Sequence, residues 1–421
     1  MSTALRLPRH RATTAHLASA YPFVGHGGVG AAGVYLGTNV LTGGGAFAYD
    51  PFVAYRAGLV TNPNMLLAGE TGVGKSATAK CFIYRSVGVF GRWVAIVDPK
   101  GEYGGIAASL GLDTIRLFPG GTSRINPLEP GPAPSGGAEE LARRQTAMVA
   151  ALLEPVLHRD LKPIEDAVLG WAVAHLIRTA PGRATLVDLA RLMADPTEEM
   201  AARARMGAGA LSRAVNPAVH ALGKLLDRSL RGMFDGPTNV RLDWSGPGVV
   251  LDLSAVHHEP EALSLVMVAA TGWLQSVLAR PDGPPRLQVL DEAWCLLASE
   301  RTSRYLQACW KLGRSCGVAN LAIVHRLSDL RAQADDGSAT AKVSMGLLAD
   351  TQTRILFRQS TDQVAEARDL LGLTTTEAEL VSRLCRGRAL WKVGGGTAVV
   401  QHVIGRGERG LCDTDARMEA A

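Results

Sequence analysis

The sequence predicts an α/β fold with a mostly parallel sheet, and three observations lead to this class. A short apolar run from Asn64 to Ala68 leads into a glycine-rich loop of the pattern G-x-x-x-x-G-K-S, which opens a helix-forming stretch. Further apolar runs alternate with helical patterns, which favours right-handed crossovers between parallel strands. Two of these runs end in charged residues, as strands do at the ligand-binding edge of such sheets.

The glycine-rich loop has residue types suited to phosphate. Its residues are Gly69, Glu70, Thr71, Gly72, Val73, Gly74, Lys75, Ser76 and Ala77. Glycines let successive N–H groups turn toward an anion, and the positive end of the following helix faces the same point. Lys75 adds a point charge, and the hydroxyl of Ser76 is placed to ligate Mg²⁺. We therefore expect a nucleoside triphosphate with Mg²⁺ here; the alternative is a glycine-rich turn without a ligand.

An acidic pair follows the apolar run from Arg286 to Leu290. Phosphoryl transfer to water needs one carboxylate for the metal and a second that polarises the attacking water. We predict that Asp291 holds Mg²⁺ together with Ser76 and that Glu292 is the catalytic base. The N/T-K-x-D element of guanine-specific switches is absent from the sequence, so ATP is the expected nucleotide. A solvated strand end is the alternative interpretation of the acidic pair.

Composition indicates a globular chain, because 47% of its 421 residues are hydrophobic and 20% are charged. The formal net charge of +5 is compatible with nucleic acid or an anionic membrane and requires neither. The longest apolar stretch, Leu263 to Leu278, is interrupted by polar residues, so a buried helix is expected. Six cysteines without C-x-x-C spacing favour a reduced, cytoplasmic protein.

The texture of the chain divides it into four segments. Residues 1–60 are rich in glycine and contain scattered aromatic residues, which predicts a short strand-rich segment that covers the core as an apron. Residues 61–130 are predicted to form the first part of the core. Residues 131–234 predict an inserted all-helical subdomain, and residues 235–421 complete the core. Further strands are predicted at 93–98, 249–253, 286–290, 321–325, 354–357, 390–393 and 398–404, the last two as a hairpin.

Four separated motifs resemble, in order, the motif series of the type IV secretion and conjugation ATPases of the VirB-four kind, within the HerA and FtsK group. They are Asp98 to Tyr103, Ile125 to Leu128, Phe234 to Thr238, and Asp291 to Trp294. The tail from Leu384 to Met418 is also similar, so the resemblance covers roughly residues 14–418. It implies a RecA-like motor domain that hydrolyses ATP as a homo-hexamer. It further implies a cytoplasmic location at the inner face of the membrane, with channel components and DNA as partners.

Two alternatives to this function remain open. A HerA-like or FtsK-like motor would translocate double-stranded DNA without a secretion channel, through a pore lined by Lys and Arg. A scaffold that binds nucleotide without turnover is the other alternative, and the intact Lys75, Ser76, Asp291 and Glu292 argue against it.

Several further side chains are candidates near the site. Charge on the γ-phosphoryl group commonly demands an arginine, and Arg314 is the first candidate for this catalytic role, in trans, followed by Arg358 and Arg326. Lys100 and Glu102 could contact nucleotide, contact a neighbouring subunit or pair with each other. Trp294 and Trp310 are expected in the core.

Overall fold

A single sheet organises the molecule. The computed structural model describes Thr13 and residues 33–131, 137–280, 283–297, 300–324 and 351–412. The strands are β1 Val34–Asn39, β2 Gly45–Tyr49, β3 Met65–Ala68, β4 Trp93–Asp98, β5 Asp113–Arg116, β6 Gly248–Asp252, β7 Arg286–Leu290, β8 Val318–Val324, β9 Thr353–Leu356, β10 Arg388–Val393 and β11 Gly396–His402. In the described residues they form one eleven-stranded sheet of order β2-β1-β11-β10-β9-β3-β8-β7-β4-β6-β5.

The strands from β9 to β5 in this order are all parallel. Leu67 in β3, for example, lies beside Ile355 of β9 and Ile323 of β8. Every residue of β3, β4, β6, β7 and β8 is buried, because crossover helices cover both faces of the sheet. The predicted α/β class and its mostly parallel sheet are confirmed. The short strand β5, with only Ile115 buried, was not predicted.

The other end of the sheet is antiparallel. Strands β10 and β11 form the predicted hairpin, and β10 pairs with β9. Strand β1 pairs with β11, so the described part of the N-terminal segment continues the main sheet. Trp391 holds this end together, with its ring centroid 5.0 Å from that of Phe47 and 5.4 Å from that of Tyr49.

Helices surround the sheet. They are α1 Pro51–Arg56, α2 Lys75–Phe90, α3 Gly104–Leu110, α4 Gly137–Leu157, α5 Pro163–Thr179, α6 Leu186–Ala194, α7 Glu198–Ala204, α8 Ala208–Asp227, α9 Pro260–Leu278, α10 Glu300–Ser315, α11 Thr361–Leu371, α12 Thr375–Ser382 and α13 Arg409–Cys412. Helix α1 was not predicted, although Asp50 caps it and Pro51 opens it in the positions that favour a helix start.

Helices α4 to α8 lie between β5 and β6, within the range predicted to be helical. Their apolar faces share one continuous core with the sheet, in which Leu152, Val168 and Leu222 belong to the same cluster as Val97 and Leu251. Whether residues 131–234 can be separated from the core stays a prediction.

Helix α9 is the predicted buried helix. Among the described residues it alone has the length and composition of a membrane span, and 83% of that window is buried inside the protein. Trp273 and Leu274 in this helix are at most 1% exposed, so α9 packs as a central core helix.

Candidate nucleotide-binding site

The glycine-rich loop lies between β3 and α2. A Cβ atom on Gly69 would stand 2.5 Å from the Cβ of Phe357, so this position has no room for a side chain. Gly74 has φ of +106° and is the N-cap of α2, where it supplies no side-chain hydrogen bond. The first N–H groups of α2 therefore lack the side-chain acceptor that Asp50 gives α1. This uncapped, glycine-lined end fits a phosphate group.

Lys75 supplies the positive charge of the loop. Its residue is 3% exposed, and its ammonium donates hydrogen bonds to the carbonyl oxygens of Gly69 and Glu70. Burial, followed by the charge of Lys100, lowers the pKa of Lys75 to about 8, and the nearby carboxylates offset this only in part. A nearly buried ammonium of this kind suits an anionic ligand that would stabilise its charge.

The strand order brings the acidic pair to the loop. Strand β8 alone lies between β3 and β7, and the carboxyl ends of all three strands meet at one edge. Asp291 follows β7 directly, is 3% exposed, and its backbone N–H donates to the Val97 carbonyl at 3.3 Å. Burial, followed by the charge of Glu292, raises the pKa of Asp291 to about 6. A divalent cation would relieve that cost, so Asp291 fits the predicted Mg²⁺ site. Ser76 is the second residue of α2, directly after the loop, and its role as a ligand stays a prediction.

Glu292 is held in an unusual conformation. Its φ is +53°, in the left-handed region that costs a residue with a side chain about 1–2 kcal/mol. The residue is 3% exposed, Lys100 forms an ion pair with Oε1, and the indole N–H of Trp294 donates to Oε2. Strain of this kind is concentrated at functional sites, which agrees with the role predicted for Glu292.

The loop after β4 positions Lys100. Asp98 accepts hydrogen bonds from the backbone N–H groups of Lys100 at 3.2 Å, Glu102 at 3.1 Å and Tyr103 at 2.9 Å. Glu102 faces Lys80, with 3.6 Å between Nζ and Oε2. The alternative in which Lys100 and Glu102 pair with each other is therefore wrong.

The two tryptophans differ. Trp310 is 1% exposed and lies in the core, as predicted. The prediction for Trp294 is wrong in part, because this residue is only half-buried and its indole binds Glu292. Trp294 also lines a cleft of about 650 Å³, whose walls include Glu154 of α4 and Arg301 of α10, joined at 2.9 Å. Glu154 of the helical segment therefore lies across this cleft from Trp294, which contacts the predicted base Glu292.

The candidate arginines lie in different places. Arg358 is beside the loop, with its Nε 3.3 Å from Oε2 of Glu70. Arg314 donates to the carbonyl oxygen of Thr61 at 3.3 Å, near the amino end of β3 and therefore opposite the loop. A role for Arg314 at its own subunit's loop is thus excluded, and its role in trans stays a prediction. Arg326, together with His325, lies outside the described residues.

The turn before β10 also contacts the phosphate loop, and this contact was not predicted. The N–H of Gly387 donates to the carbonyl oxygen of Val73 at 2.9 Å, and Arg386 is exposed next to this contact. The turn reaches the loop because β10 runs antiparallel to β9, so its amino end lies at the carboxyl edge of the parallel strands. The sequence Arg386-Gly387-Arg388 indicates a basic turn. It does not show the direction of β10, which is what brings the turn to the phosphate loop.

The sheet order and the glycine-rich loop define a RecA-like P-loop fold. The structure of VirB4 of Thermoanaerobacter pseudethanolicus is similar, with a TM-score of 0.69 and 22% identity over 90% of this chain and 98% of that chain. The bacterial conjugative coupling protein TrwB, in its unbound form, gives 0.57 and 17% over 82% and 85% of the two chains.

TrwB in complex with the ATP analogue ADPNP gives a TM-score of 0.57 and 19% identity over 82% of this chain and 86% of that chain. No protein-family model and no curated protein sequence matches this chain. The similar solved structures of VirB4 and TrwB confirm the fold that the resemblance implied.

Proposed function

We propose that this chain is an ATP-hydrolysing motor that energises type IV secretion or conjugative DNA transfer from the cytoplasmic face of the membrane. The carrying observation is the meeting of Lys75 with Asp291 and Glu292 at one sheet edge, in a fold shared with VirB4 over most of both chains. The motif series supports the same class.

Each side chain of the site has a distinct role in this proposal. Lys75 and the N–H groups of the loop bind the β- and γ-phosphates. Ser76 and Asp291 hold Mg²⁺, which when bound neutralises charge developing on the phosphate oxygens. Glu292 orients the attacking water and accepts its proton.

The first test is Mg²⁺-dependent ATP turnover by the purified chain. Lys75→Ala should reduce turnover by about 10²-fold or more, because it removes the ammonium that stabilises negative charge on the transferred phosphoryl group. Lys392→Met is the matched control, since it removes a lysine that pairs with Glu377 at 2.9 Å, away from the loop. Turnover that survives Lys75→Ala, or that needs no divalent cation, would contradict the proposal.

The proposed assembly is a homo-hexamer in which Arg314 completes the site of the neighbouring subunit. Its place opposite its own loop supports a role in trans. Arg314→Ala should bind ATP and hydrolyse it slowly, and mixing it with Lys75→Ala should restore part of the activity. No recovery in proven mixed rings would move the role to Arg358 or to the exposed Arg386.

The alternative motor, a translocase of duplex DNA that needs no channel, shares the same ATPase site. The two are separated by substrate and partner. A channel-bound motor should be captured from its own cells with membrane components after DNase treatment. Translocation of duplex DNA by the isolated chain would favour the alternative.

A further inference from the structure

We propose that Lys100 senses the γ-phosphate, exchanging its ion pair with Glu292 for the terminal phosphate of ATP and so releasing the base for catalysis. This inference rests on the proposed function and concerns the regulation of the same site. It assigns a positioning role to the loop after β4, which the sequence left open.

Both oxygens of the Glu292 carboxylate are in contact with donors. One carboxylate oxygen pairs with Lys100, and the other accepts the indole N–H of Trp294. The Glu292 side chain is only 4% exposed, so little of the carboxylate is open to an attacking water while Lys100 occupies one of its oxygens. The ammonium also neutralises the charge that a base needs in order to polarise water. The observed pairing is therefore a restrained form of the base.

The two donors to Glu292 differ in their freedom to move. The Lys100 side chain is 27% exposed and ends in an ammonium on a flexible four-carbon stem. The Trp294 indole is a planar ring with two rotatable bonds and packs against the core. Lys100 is thus the donor that can leave, while Trp294 keeps the carboxylate in place.

Lys100 lies at the same edge of the sheet as the phosphate loop. Its ammonium pairs with Glu292 just after β7, and only β8 separates β7 from β3, the strand that leads into the loop. Lys75 is the residue that binds the β- and γ-phosphates in loops of this pattern. The Lys100 ammonium therefore lies within electrostatic reach of the point that the terminal phosphate would occupy.

The backbone that carries Lys100 is held in place by its own contacts. Asp98 fixes the backbone of the loop through three N–H groups, and Gly101, with φ of +68°, makes the turn against Ser254. In the proposed exchange, the Lys100 side chain rotates on this fixed backbone. ADP lacks the terminal phosphate, so with ADP Lys100 keeps its pairing with Glu292.

A ligand that competes with Glu292 for Lys100 must show reciprocal coupling. Removing the charge of Glu292 frees Lys100, so the affinity for a γ-phosphate should rise. That gain should depend on the presence of Lys100. Simple repulsion between Glu292 and the phosphate would raise the affinity whether or not Lys100 is present.

The test is a double-mutant cycle read by calorimetric binding of Mg²⁺ with ADP or with a β,γ-imido ATP analogue. The four proteins are the unchanged chain, Glu292→Gln, Lys100→Met, and the double variant. Glu292→Gln should raise analogue affinity about fivefold or more when Lys100 is present, and less than about twofold in the Lys100→Met background. Affinity for ADP should change less than about twofold in Lys100→Met. These readouts do not depend on turnover.

Two controls accompany the cycle. Lys100→Arg keeps the charge and should retain most of the preference for the analogue over ADP. Lys392→Met removes the lysine of another Lys–Glu pair in the same sheet and should leave both affinities unchanged.

Two results would overturn the inference. One is an equal effect of Glu292→Gln in both backgrounds, and the other is an equal loss of ADP and analogue affinity in Lys100→Met. If the unchanged chain binds the analogue and hydrolyses ATP while the cycle shows no coupling, only the role of Lys100 fails. If it binds neither nucleotide, the proposed function fails as well.

Discussion

Two buried carboxylates of this molecule, Asp50 and Glu292, are each paired with a cation, yet their surroundings differ. Asp50 has an ordinary extended backbone and caps α1, accepting the N–H groups of Phe52 at 3.0 Å and Val53 at 2.8 Å. Its other oxygen accepts Nε and Nη2 of Arg92 at 3.1 and 2.9 Å. Every donor is fixed by a helix end or by a planar guanidinium.

Glu292 has a left-handed backbone, and its carboxylate is held by the side chains of Lys100 and Trp294. The lysine end of this arrangement can exchange partners, whereas the donors of Asp50 cannot. We infer from the difference that Asp50 serves the fold and Glu292 serves the chemistry.

The largest effect on stability should come from Asp50→Ala. The substitution leaves Arg92, which is 9% exposed, without its partner and removes the cap of α1. Breaking a buried pair in this way costs about 3–5 kcal/mol of unfolding free energy. Denaturant unfolding measures it, and turnover per folded molecule should be unchanged at low temperature. A loss below about 1 kcal/mol would show that Asp50 is not structural.

The next effect tests the backbone at Glu292. Glu292→Gly should be more stable than Glu292→Ala by about 1 kcal/mol, because glycine adopts a positive φ without a steric cost. Both variants lack the carboxylate, so the difference between their unfolding free energies, measured by thermal unfolding, reports the cost of the positive φ. Arg205, exposed at the end of α7 with φ of +54°, is the matched control and should show the same order. Equal stability of the two Glu292 variants would remove the argument from strain.

The smallest effect concerns a third carboxylate, Glu377, which receives Lys392 at 2.9 Å and the hydroxyl of Thr397 at 2.7 Å. Burial opposes its ionisation, but these donors together hold the pKa of Glu377 below its usual 4.5. A lowered pKa stabilises the fold above the usual value, and this contribution is lost as the pH falls through the folded-state pKa. Glu377→Gln should therefore be less stable at pH 7, with the difference shrinking below about pH 4.5. A difference independent of pH would contradict this.

The sequence was informative where a local pattern carries the physics. Buried strands appeared as continuous apolar runs, and the glycine-rich loop and Asp291-Glu292 were recognisable because each function needs those residue types together. Contacts between distant segments were not readable. The pairing of Lys100 with Glu292 exists because β4 and β7 are neighbours, with Val97 beside Leu290.

Other features were hidden for related reasons. The positive φ of Glu292 could not be predicted from the sequence, because glutamate rarely adopts this conformation. The approach of Gly387 to the phosphate loop depends on the direction of β10, which apolar periodicity does not reveal. The position of Arg314 at the amino end of β3 depends on where its helix ends relative to the sheet.

The most direct test of the account is ATP turnover by Glu292→Gln, measured beside its binding of ADP with Mg²⁺. The account predicts that turnover falls by about 10²–10⁴-fold, because only the base is lost. Binding of ADP should stay within about threefold, since the loop and Asp291 are intact. Unchanged turnover in Glu292→Gln would contradict the assignment of Glu292, and with it the proposed mechanism.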